Sequence, residues 1–464
     1  MNLKKPVLGI LSVGVAAVLV APHFIGQQAE QDINALVAAV NNNPVHQLEL
    51  KSYQRGWFSS KAVFEHSMQM ADFDQSGGTK MTEVRSGEVV LDLQHGPVLT
   101  DYDAGLGLLS WQLQAADERL RANLTWNDGE PLYQMIGSMN LVGSGQYHDR
   151  IAGLVYRDAA SDMTIELNDY RGNGEFGAEQ FAYQGTNKRF RVDIADESVQ
   201  IDDLTFATEA KGTLAEALTS QLLESEVVLN IAKASTPAFS MRDVQLDAKS
   251  ELSDNGETLD ISFVTNINNI TSATGNWNNL ALAIEMRRVD VAFMRAYQET
   301  VNDAYSADVE EMQEQLQALM KEHLEPVVAA DPEFIISELS GQAPDGQFDG
   351  ELSVKLAENA AAEMVNASGD YWLKQLLAEG YMQMDKALLR NAFIMQLETA
   401  LAAQMPNQDM QSEQIQSMLN QQAEQVIGVY LQQGFIEEQE QQYRSAIELQ
   451  NGVLLLNGNS IPLI

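Results

Sequence analysis

Residues 162–167 read Asp-Met-Thr-Ile-Glu-Leu, so polar and apolar side chains alternate without interruption. The same two-residue period returns at 190–194, 244–248 and 259–263. Such alternation gives a strand one apolar and one polar face, which is typical of an antiparallel sheet with one side in water. The pattern therefore predicts a long antiparallel β-meander over residues 45–288.

Glycine-containing segments separate the predicted strands at intervals typical of hairpins. We interpret three of them as turns: Asp128-Gly129, Gly172-Asn173-Gly174 and Asn255-Gly256. Residues 172–177 also match the pattern G-x-G-x-x-G, which binds a dinucleotide only between a parallel strand and a helix. Because predicted strands lie on both sides, a hairpin turn is favoured there and no cofactor is expected.

The apolar period changes after residue 288 from two residues to three or four. These spacings over residues 289–324 predict one amphipathic helix of about 35 residues, or ~50 Å, which Glu325-Pro326 ends. The rest of the chain is predicted to contain two strands (334–339 and 347–356), two amphipathic helices between 385 and 433 that separate near Met405-Pro406-Asn407, and a hairpin (443–456) around Asn451-Gly452. Residues 289–464 would therefore close the same extended domain as the meander.

The start of the chain is predicted to anchor it in a membrane. Lys4 and Lys5 precede an apolar run at 7–21. A helix over residues 6–25 would be ~30 Å long, which is the thickness of a bilayer hydrocarbon core. The basic residues before the span place residues 1–5 in the cytoplasm and the rest of the chain outside it.

A cleaved secretory signal is the alternative interpretation of this segment. Pro22 directly after Ala21 disfavours cleavage at the best small-residue position, so a retained anchor is favoured. Residues 26–44 are then predicted to form a short amphipathic helix that connects the anchor to the sheet.

Composition excludes several classes of function. The 464-residue chain has no cysteine, so neither disulfides nor thiolate metal sites stabilise it. It carries 66 acidic and 28 basic residues, for a net charge of −38, and no basic patch with interleaved aromatic residues. We therefore expect no nucleic-acid partner.

No catalytic, cofactor-binding or metal site is predicted. The six histidines lack metal-ligand spacing, and the P-loop, zinc-protease, nucleophile-elbow and EF-hand patterns are missing from the sequence. Two acidic segments, Asp101-Tyr102-Asp103 and 345–351, carry oxygen atoms suited to a cation. Their composition is that of ordinary acidic turns, which is the favoured interpretation.

Two local clusters combine unusual residue types. Residues 53–60 read Tyr-Gln-Arg-Gly-Trp-Phe-Ser-Ser, and the arginine beside a glycine is suited to stacking on an aromatic ring at a backbone kink. Residues 95–97 read His-Gly-Pro, a predicted turn that exposes one imidazole. A structural role is favoured for both clusters, whose members are Tyr53, Arg55, Gly56, Phe58, Ser59, Ser60, His95, Gly96 and Pro97.

The order of these features resembles the YdgA-like family of bacterial envelope proteins, whose biochemical role is undefined. In that family an anchor precedes a Tyr-x-Arg-Gly-x-Phe-Ser-Ser strand and a His-Gly-Pro turn, which match residues 53–60 and 95–97. A Gly-(Tyr/Phe)-Ile segment and a strand–Asn-Gly–strand hairpin match residues 434–436 and 447–458. The resemblance implies the inner membrane of a Gram-negative cell, with the bulk of the chain in the periplasm, and it supplies no catalytic residue.

These observations predict an α+β protein with a single N-terminal transmembrane helix, a long antiparallel β-meander and long amphipathic helices in the C-terminal half. We expect a non-enzymatic envelope protein that binds apolar cargo or scaffolds a protein partner, because amphipathic helices can cover part of an apolar sheet face. A carboxylate-based hydrolase acting on envelope material is the alternative. The expected partners are the lipid bilayer through residues 6–25, a lipid or envelope protein, and a second copy of the chain through the helix at 289–324, giving a homodimer.

Overall fold

The computed structural model describes residues 4–41, 46–73, 79–102, 105–115, 118–122, 124–158, 162–195, 197–213, 224–303, 309–357, 369–405, 410 and 412–462. The chain divides into two compact units, each built on antiparallel strands. Unit 1 comprises Met1–Ala232 and Tyr297–Gln317. Unit 2 comprises Lys233–Ala296 and Ala318–Ile464.

The sheet of unit 1 is formed by strands that are mostly neighbours in sequence. They are β1 (His46–Arg55), β2 (Ser59–Phe73), β3 (Thr79–His95), β4 (Val98–Leu99), β5 (Gly105–Leu106), β6 (Leu109–Ala115), β7 (Leu124–Trp126), β8 (Tyr133–Met139), β9 (Gly145–Ile151), β10 (Leu154–Asp158), β11 (Met163–Leu167), β12 (Tyr170–Phe176), β13 (Gln180–Ile194) and β14 (Glu197–Lys211). The main sheet follows the order β1-β2-β3-β6-β8-β9-β12-β13-β14. The short strands β7, β10 and β11 pair with one another and join β13.

Helix α1 (Lys4–Asn41) packs along the first three strands of unit 1. Its C-terminal end lies over the start of β1, where the Leu48 amide donates to Asn41 Oδ1 (2.6 Å) and Asn41 Nδ2 donates to the Leu48 carbonyl (3.0 Å). The rest of the contact between α1 and the sheet is apolar. The buried side chains that form it are Ala29, Ile33, Ala62, Phe64 and Leu93.

Unit 2 contains a second run of antiparallel strands. They are β16 (Phe239–Leu252), β17 (Thr258–Ser272), β18 (Gly275–Asp290), β19 (Glu333–Ala343), β20 (Gly346–Leu356), β21 (Leu376–Asp385), β22 (Glu437–Gln439), β23 (Gln442–Gln450), β24 (Val453–Leu456) and β25 (Asn459–Pro462). The pairing order is β16-β17-β18-β19-β20-β21-β23-β24-β25, with β22 beside β23. Residues 232 and 233, where the chain passes from unit 1 to unit 2, lie in β15 (Glu224–Ser235).

Five further helices follow β18. They are α2 (Val291–Asp303), α3 (Val309–Ala329), α4 (Gly369–Gln375), α5 (Lys386–Gln404) and α6 (Glu413–Gln432) among the described residues. Helices α5 and α6 pair with each other, and α5 also contacts β20, β21 and β23. The buried side chains of α6 recur at helical spacing, which explains the pairing. They are Ile415, Leu419, Ala423 and Ile427.

The predicted α+β fold class is wrong. Strands make up 57% of the structure and helices 27%, so antiparallel sheet dominates. The sequence prediction underestimated the strands after residue 333, because β22 and β25 are short and β21 does not alternate cleanly. Their position is decided by pairing with strands that are distant in sequence, such as β20 with β21.

The predicted transmembrane helix is also wrong, because no helix among the described residues is both long enough and apolar enough to cross a membrane. The prediction counted residues 6–25, but the structure uses the end of that segment for packing. Pro22 is fully buried, and Gly26 lies against a side chain of β3. The apolar run that remains, 7–21, would be only ~22 Å long as a helix.

Two local predictions need correction. Gly172-Asn173-Gly174 lies inside β12 and not in a turn. The predicted helix 289–324 extends as α3 through Pro326 to Ala329, and residues 304–308 lie outside the described residues. Proline costs the helix one hydrogen bond, but the final turn buries Val328 against Leu324, Leu356, Tyr371 and Trp372.

Candidate functional site

The two sequence clusters meet at one end of the unit 1 sheet. Gly56 donates its amide to the Ser59 carbonyl (2.8 Å), which closes the turn between β1 and β2. His95, the last residue of β3, donates its amide to the Phe58 carbonyl (2.8 Å). Residues 53–60 and 95–97 therefore form one site, although about 35 residues separate them in sequence.

A buried Ser–His pair lies at the centre of this site. Ser60 Oγ is 2.9 Å from His95 Nε2, and the Trp57 carbonyl lies 3.4 Å from Nδ1. A carbonyl only accepts, so Nδ1 carries the proton and Nε2 accepts from the Ser60 hydroxyl. Burial lowers the pKa of His95, with the hydrogen bond that Nδ1 donates to the Trp57 carbonyl acting in the opposite direction.

Ser60 and His95 have the residue types of a nucleophile and its general base, but solvent does not reach them. Ser60 is 4% exposed and His95 is 1% exposed, so both residues are buried beneath their neighbours. The expected exposure of the imidazole at this turn is therefore wrong. The arrangement supports the structural interpretation of the cluster.

Helix α1 packs directly on this site. A Cβ atom at Gly26 would lie 2.7 Å from His95 Nδ1, so only glycine lets the helix approach this closely. The ring of His23 stacks on Trp57 with centroids 5.0 Å apart. The site therefore joins α1 to the ends of β1, β2 and β3.

The other members of the clusters support this junction. Arg55 does not stack on a ring as expected but forms an ion pair with Glu30 of α1, with Nη1 and Oε2 2.8 Å apart. Burial raises the pKa of the Tyr53 hydroxyl, and a hydrogen bond with the side chain of Ser60 acts in the opposite direction. Gly96 donates its amide to the Leu108 carbonyl (2.7 Å), and a cis peptide bond joins it to Pro97.

The acidic segments do not form a cation site in the part of the chain that the structure describes. No group of three or more His, Asp or Glu side chains is placed there to hold a metal ion. Asp101 donates its amide to Gln94 Oε1 (2.9 Å), while Asp103 lies outside the described residues. Asp349 accepts a hydrogen bond from Gln383 Nε2 (2.8 Å).

The sequence reasoning missed a carboxylate surrounded by tyrosines on the sheet of unit 1. Tyr183 donates its hydroxyl to Asp149 (3.1 Å), Tyr133 donates to the same carboxylate (3.4 Å), and Tyr170 lies 2.6 Å from the Tyr183 hydroxyl. Burial raises the pKa of Asp149, and the hydrogen bonds from Tyr183 and Tyr133 oppose the shift. Burial likewise raises the pKa values of Tyr133 and Tyr183.

Glycines make room for these rings. A Cβ atom at Gly174 would lie 2.6 Å from the Tyr147 hydroxyl, and one at Gly172 would lie 2.6 Å from Tyr183 Cζ. This close approach is the physical reason for the glycines inside β12, which look like a turn in sequence. The spacing of the tyrosines carried no signal, because each comes from a different strand.

A second feature without a clear sequence signal is the apolar face of unit 2. Directly paired residues of neighbouring strands project to the same side of a sheet. One such row crosses the unit 2 sheet from β16 to β24, and at ~4.8 Å per strand it is ~34 Å long. We define the apolar face of unit 2 by this row: Ala248, Phe263, Ile284, Ile336, Leu352, Gly380, Ile447 and Leu456.

The apolar face is only partly covered. At one end α5 contacts the sheet, and Ser445 donates its hydroxyl to the Phe435 carbonyl (2.9 Å). Elsewhere Phe263 is 46% exposed and Phe334 is 37% exposed. Rows on either side add further apolar side chains, such as Leu282 and Leu339, which pair directly.

A groove of 240 Å³ lies on the apolar face where β19, β20, β21 and β23 run side by side. Leu339, Leu352, Met382 and Ile447 project into it from these strands. Gly350 lies beneath, and a Cβ atom there would stand 2.8 Å from Met382 Sδ. The neighbouring strand residues Glu351 and Tyr381 pair with each other, so they project from the opposite side.

A family model described as "Bacterial protein of unknown function (DUF945)" matches residues 3–463. The chain belongs to this bacterial family. The match covers both units of this DUF945 protein, including the Ser60–His95 junction and the apolar face of unit 2. No curated protein and no solved structure matches the chain.

Proposed function

We propose that this DUF945 protein is a non-enzymatic binding protein that holds an extended apolar molecule of acyl-chain type on the apolar face of unit 2. The observation that carries the proposal is the exposure of large apolar side chains in the middle of a sheet. Phe263 and Phe334 belong to strands that are paired on both sides, yet they are 46% and 37% exposed. Contiguous exposed apolar surface of this kind marks a binding site.

The groove favours an acyl chain over a peptide. A peptide strand gains affinity by adding main-chain hydrogen bonds at a sheet edge. The groove lies instead on the face of β19, β20, β21 and β23, whose backbone groups already pair with neighbouring strands. An acyl chain needs only apolar contact. Its length is about that of one leaflet of a bilayer core, ~15 Å, so it is shorter than the row that defines the apolar face.

Equilibrium binding of a fluorescent polyunsaturated fatty acid to the full-length chain tests the proposal. Ile447 and Ala446 are neighbours on β23 and project to opposite faces. Ile447→Asn places an amide in the apolar contact and is expected to weaken binding about tenfold, whereas Ala446→Asn leaves it unchanged. Equal effects of the two substitutions, or no saturable binding by the wild-type chain, would overturn the proposal.

The predicted location and self-association stay predictions. The resemblance to YdgA-like envelope proteins supports a role in the bacterial envelope, with the bulk of the chain in the periplasm, and protease added to spheroplasts is then expected to digest the chain. Self-association through the helix at 289–324 is tested by sedimentation of the full-length chain with and without Met312→Glu and Leu316→Glu. The same monomer in every case would contradict it.

A carboxylate-based hydrolase stays the alternative. It rests on the abundance of Asp and Glu, and no arrangement of the described residues favours it over binding. On the apolar face the groove is lined by aliphatic and thioether side chains and by Ser445, whose hydroxyl donates to the Phe435 carbonyl. Glu351 and Tyr381 also border the groove but project from the opposite side of the sheet.

A further inference from the structure

One end of the unit 1 sheet presents three turns side by side. The turns are 55–59, 96–108, which includes the short paired strands β4 and β5, and 140–144, and they connect β1 to β2, β3 to β6 and β8 to β9. Backbone hydrogen bonds join them: the His95 amide donates to the Phe58 carbonyl, and the Leu108 amide donates to the Met139 carbonyl, both at 2.8 Å. Because neighbouring antiparallel strands end level with one another, the three connections lie side by side at this end of the sheet. The middle of the second connection folds back on β3 and β6, where the Asp101 amide donates to Gln94 Oε1 (2.9 Å) and the Asp101 carbonyl accepts from the Ser110 hydroxyl (3.2 Å).

The tips expose large apolar side chains. Trp57, Phe58 and Leu141 are each about half exposed, Leu106 is 69% exposed and Val142 is 84% exposed. We call these five residues the tip surface. β2 and β8 are three strand positions apart, so the tip surface is ~14 Å wide in that direction.

Charge is scarce in these turns. Charged residues make up 20% of the whole chain, and the sequence of the three turns contains Arg55, Asp101 and Asp103. Arg55 is paired with Glu30 of α1. The tip surface is therefore an apolar exception on a chain with a net charge of −38.

Helix α1 reaches the same end of the sheet. Its Gly26 lies against His95, beside the turns, while Asn41 is bonded at the opposite end of β1. The part of α1 before Gly26 therefore continues past the tip surface. Its exposed residues Val20 and Phe24 are apolar, as is the sequence at 7–21.

We infer that the tip surface docks on the surface of a lipid bilayer made of uncharged or zwitterionic lipids. Tryptophan with aliphatic neighbours is the side-chain chemistry of the membrane–water interface. The five side chains lie at one end of the same sheet, so one flat surface can contact them together. The described part of the tips offers no cluster of basic residues for anionic lipid, so the attraction is apolar. This inference concerns unit 1 and is independent of acyl-chain binding by unit 2.

The absence of cysteine allows a direct test on the full-length chain. An environment-sensitive dye is attached to Val142→Cys, at the tip surface, or to Val199→Cys, an exposed position at the other end of the unit 1 sheet. Phosphatidylcholine vesicles are then added. We expect the emission of the dye at 142 to shift to the blue and to be shielded from iodide, with no change for the dye at 199.

Three outcomes overturn the inference. Equal iodide quenching at 142 with and without vesicles shows that the tips do not touch lipid. Equal shielding at 142 and 199 shows non-specific adsorption. A shift at 142 that depends on protein concentration but not on lipid shows that the tips contact a second copy of the chain.

A paired substitution gives an independent measurement. Leu141→Ser with Val142→Ser removes two exposed aliphatic side chains without touching the buried junction. We expect the vesicle partition coefficient to fall about tenfold, while Ile194→Ser with Val199→Ser, also exposed, leaves it unchanged. Fatty-acid binding by unit 2 stays intact in both variants, so failure of this inference is distinguishable from failure of the proposed function.

Discussion

Gly26 of α1 lies flat against the imidazole of His95, the last residue of β3. A Cβ atom at position 26 would stand 2.7 Å from Nδ1 and 3.0 Å from Nε2 of that ring. The ring in turn is hydrogen-bonded to Ser60 on β2. A helix, a strand end and a turn are thus joined through a single side chain, and the stability of unit 1 depends on that contact.

Replacing Gly26 by valine is expected to destabilise unit 1. The added side chain overlaps with the His95 ring and forces α1 away from the sheet, at a cost of about 1–3 kcal/mol. Urea unfolding, followed by the release of α1 to limited proteolysis, measures the change. Gly105→Ala is the matched control, because nothing lies within 4 Å of a Cβ atom there. Equal midpoints for the two variants would contradict the packing described.

His95 is expected to make the stability of unit 1 depend on pH. Burial lowers the pKa of His95 from 6.5, so below that pH the unfolded chain binds a proton that the folded chain does not. The contribution of the neutral His95 side chain to the stability of unit 1 is therefore fully present above pH 6.5 and is lost as the pH falls below that value. The measurement is the difference in melting temperature between wild type and His95→Gln from pH 7.5 to 5.5. A constant difference over this range would contradict the assignment.

Much of the fold was predictable from local sequence, but the sites were not. Alternation at 162–167 and 259–263 predicted strands that the structure contains as β11 and β17. Asn451-Gly452 predicted a hairpin turn, and both residues have positive φ there. Each of these signals depends on residues that are adjacent in the chain.

The errors have one physical cause. In the sequence, Gly172 and Gly174 have the pattern of a turn. Only the pairing of β12 with β9 and β13 shows that the rings of Tyr147 and Tyr183 lie over these glycines. The apolar face of unit 2 likewise appears only when pairing brings distant strands together. The apolar run at 7–21 was predicted to belong to a transmembrane helix. Nothing in the neighbouring sequence indicates that Pro22 is buried or that Gly26 packs against His95.

The tyrosines over β12 are expected to ionise late. Burial raises the pKa of Tyr147 to about 12, with Asp149 adding to the shift. The difference in tyrosinate absorbance between wild type and Tyr147→Phe, read by rapid mixing before the chain unfolds, isolates this one residue. A midpoint near pH 12 is expected. A midpoint near 10.0, the ordinary value, would show that the ring is accessible to water.

Asp149 is expected to oppose folding at neutral pH. Its pKa is raised from 3.8 by burial, so the folded chain holds a proton that the unfolded chain has lost, and stability falls as the pH rises through that window. Asp149→Asn removes this pH dependence of stability. The free energy of unfolding of the variant, relative to that of the wild type, therefore increases as the pH rises above 3.8. Urea unfolding at pH 4, 5 and 7 gives the comparison. A difference that is independent of pH would contradict the buried position of the carboxylate.

The most direct test of acyl-chain binding is to locate the bound chain. A fatty acid that carries a photoreactive diazirine is bound to the full-length chain, irradiated, and mapped by mass spectrometry of the peptides. The account predicts adducts on Leu339, Leu352, Met382 and Ile447, which project into the groove, and their loss in Ile447→Asn but not in Ala446→Asn. Adducts confined to unit 1, or spread over both faces of the unit 2 sheet, would contradict it.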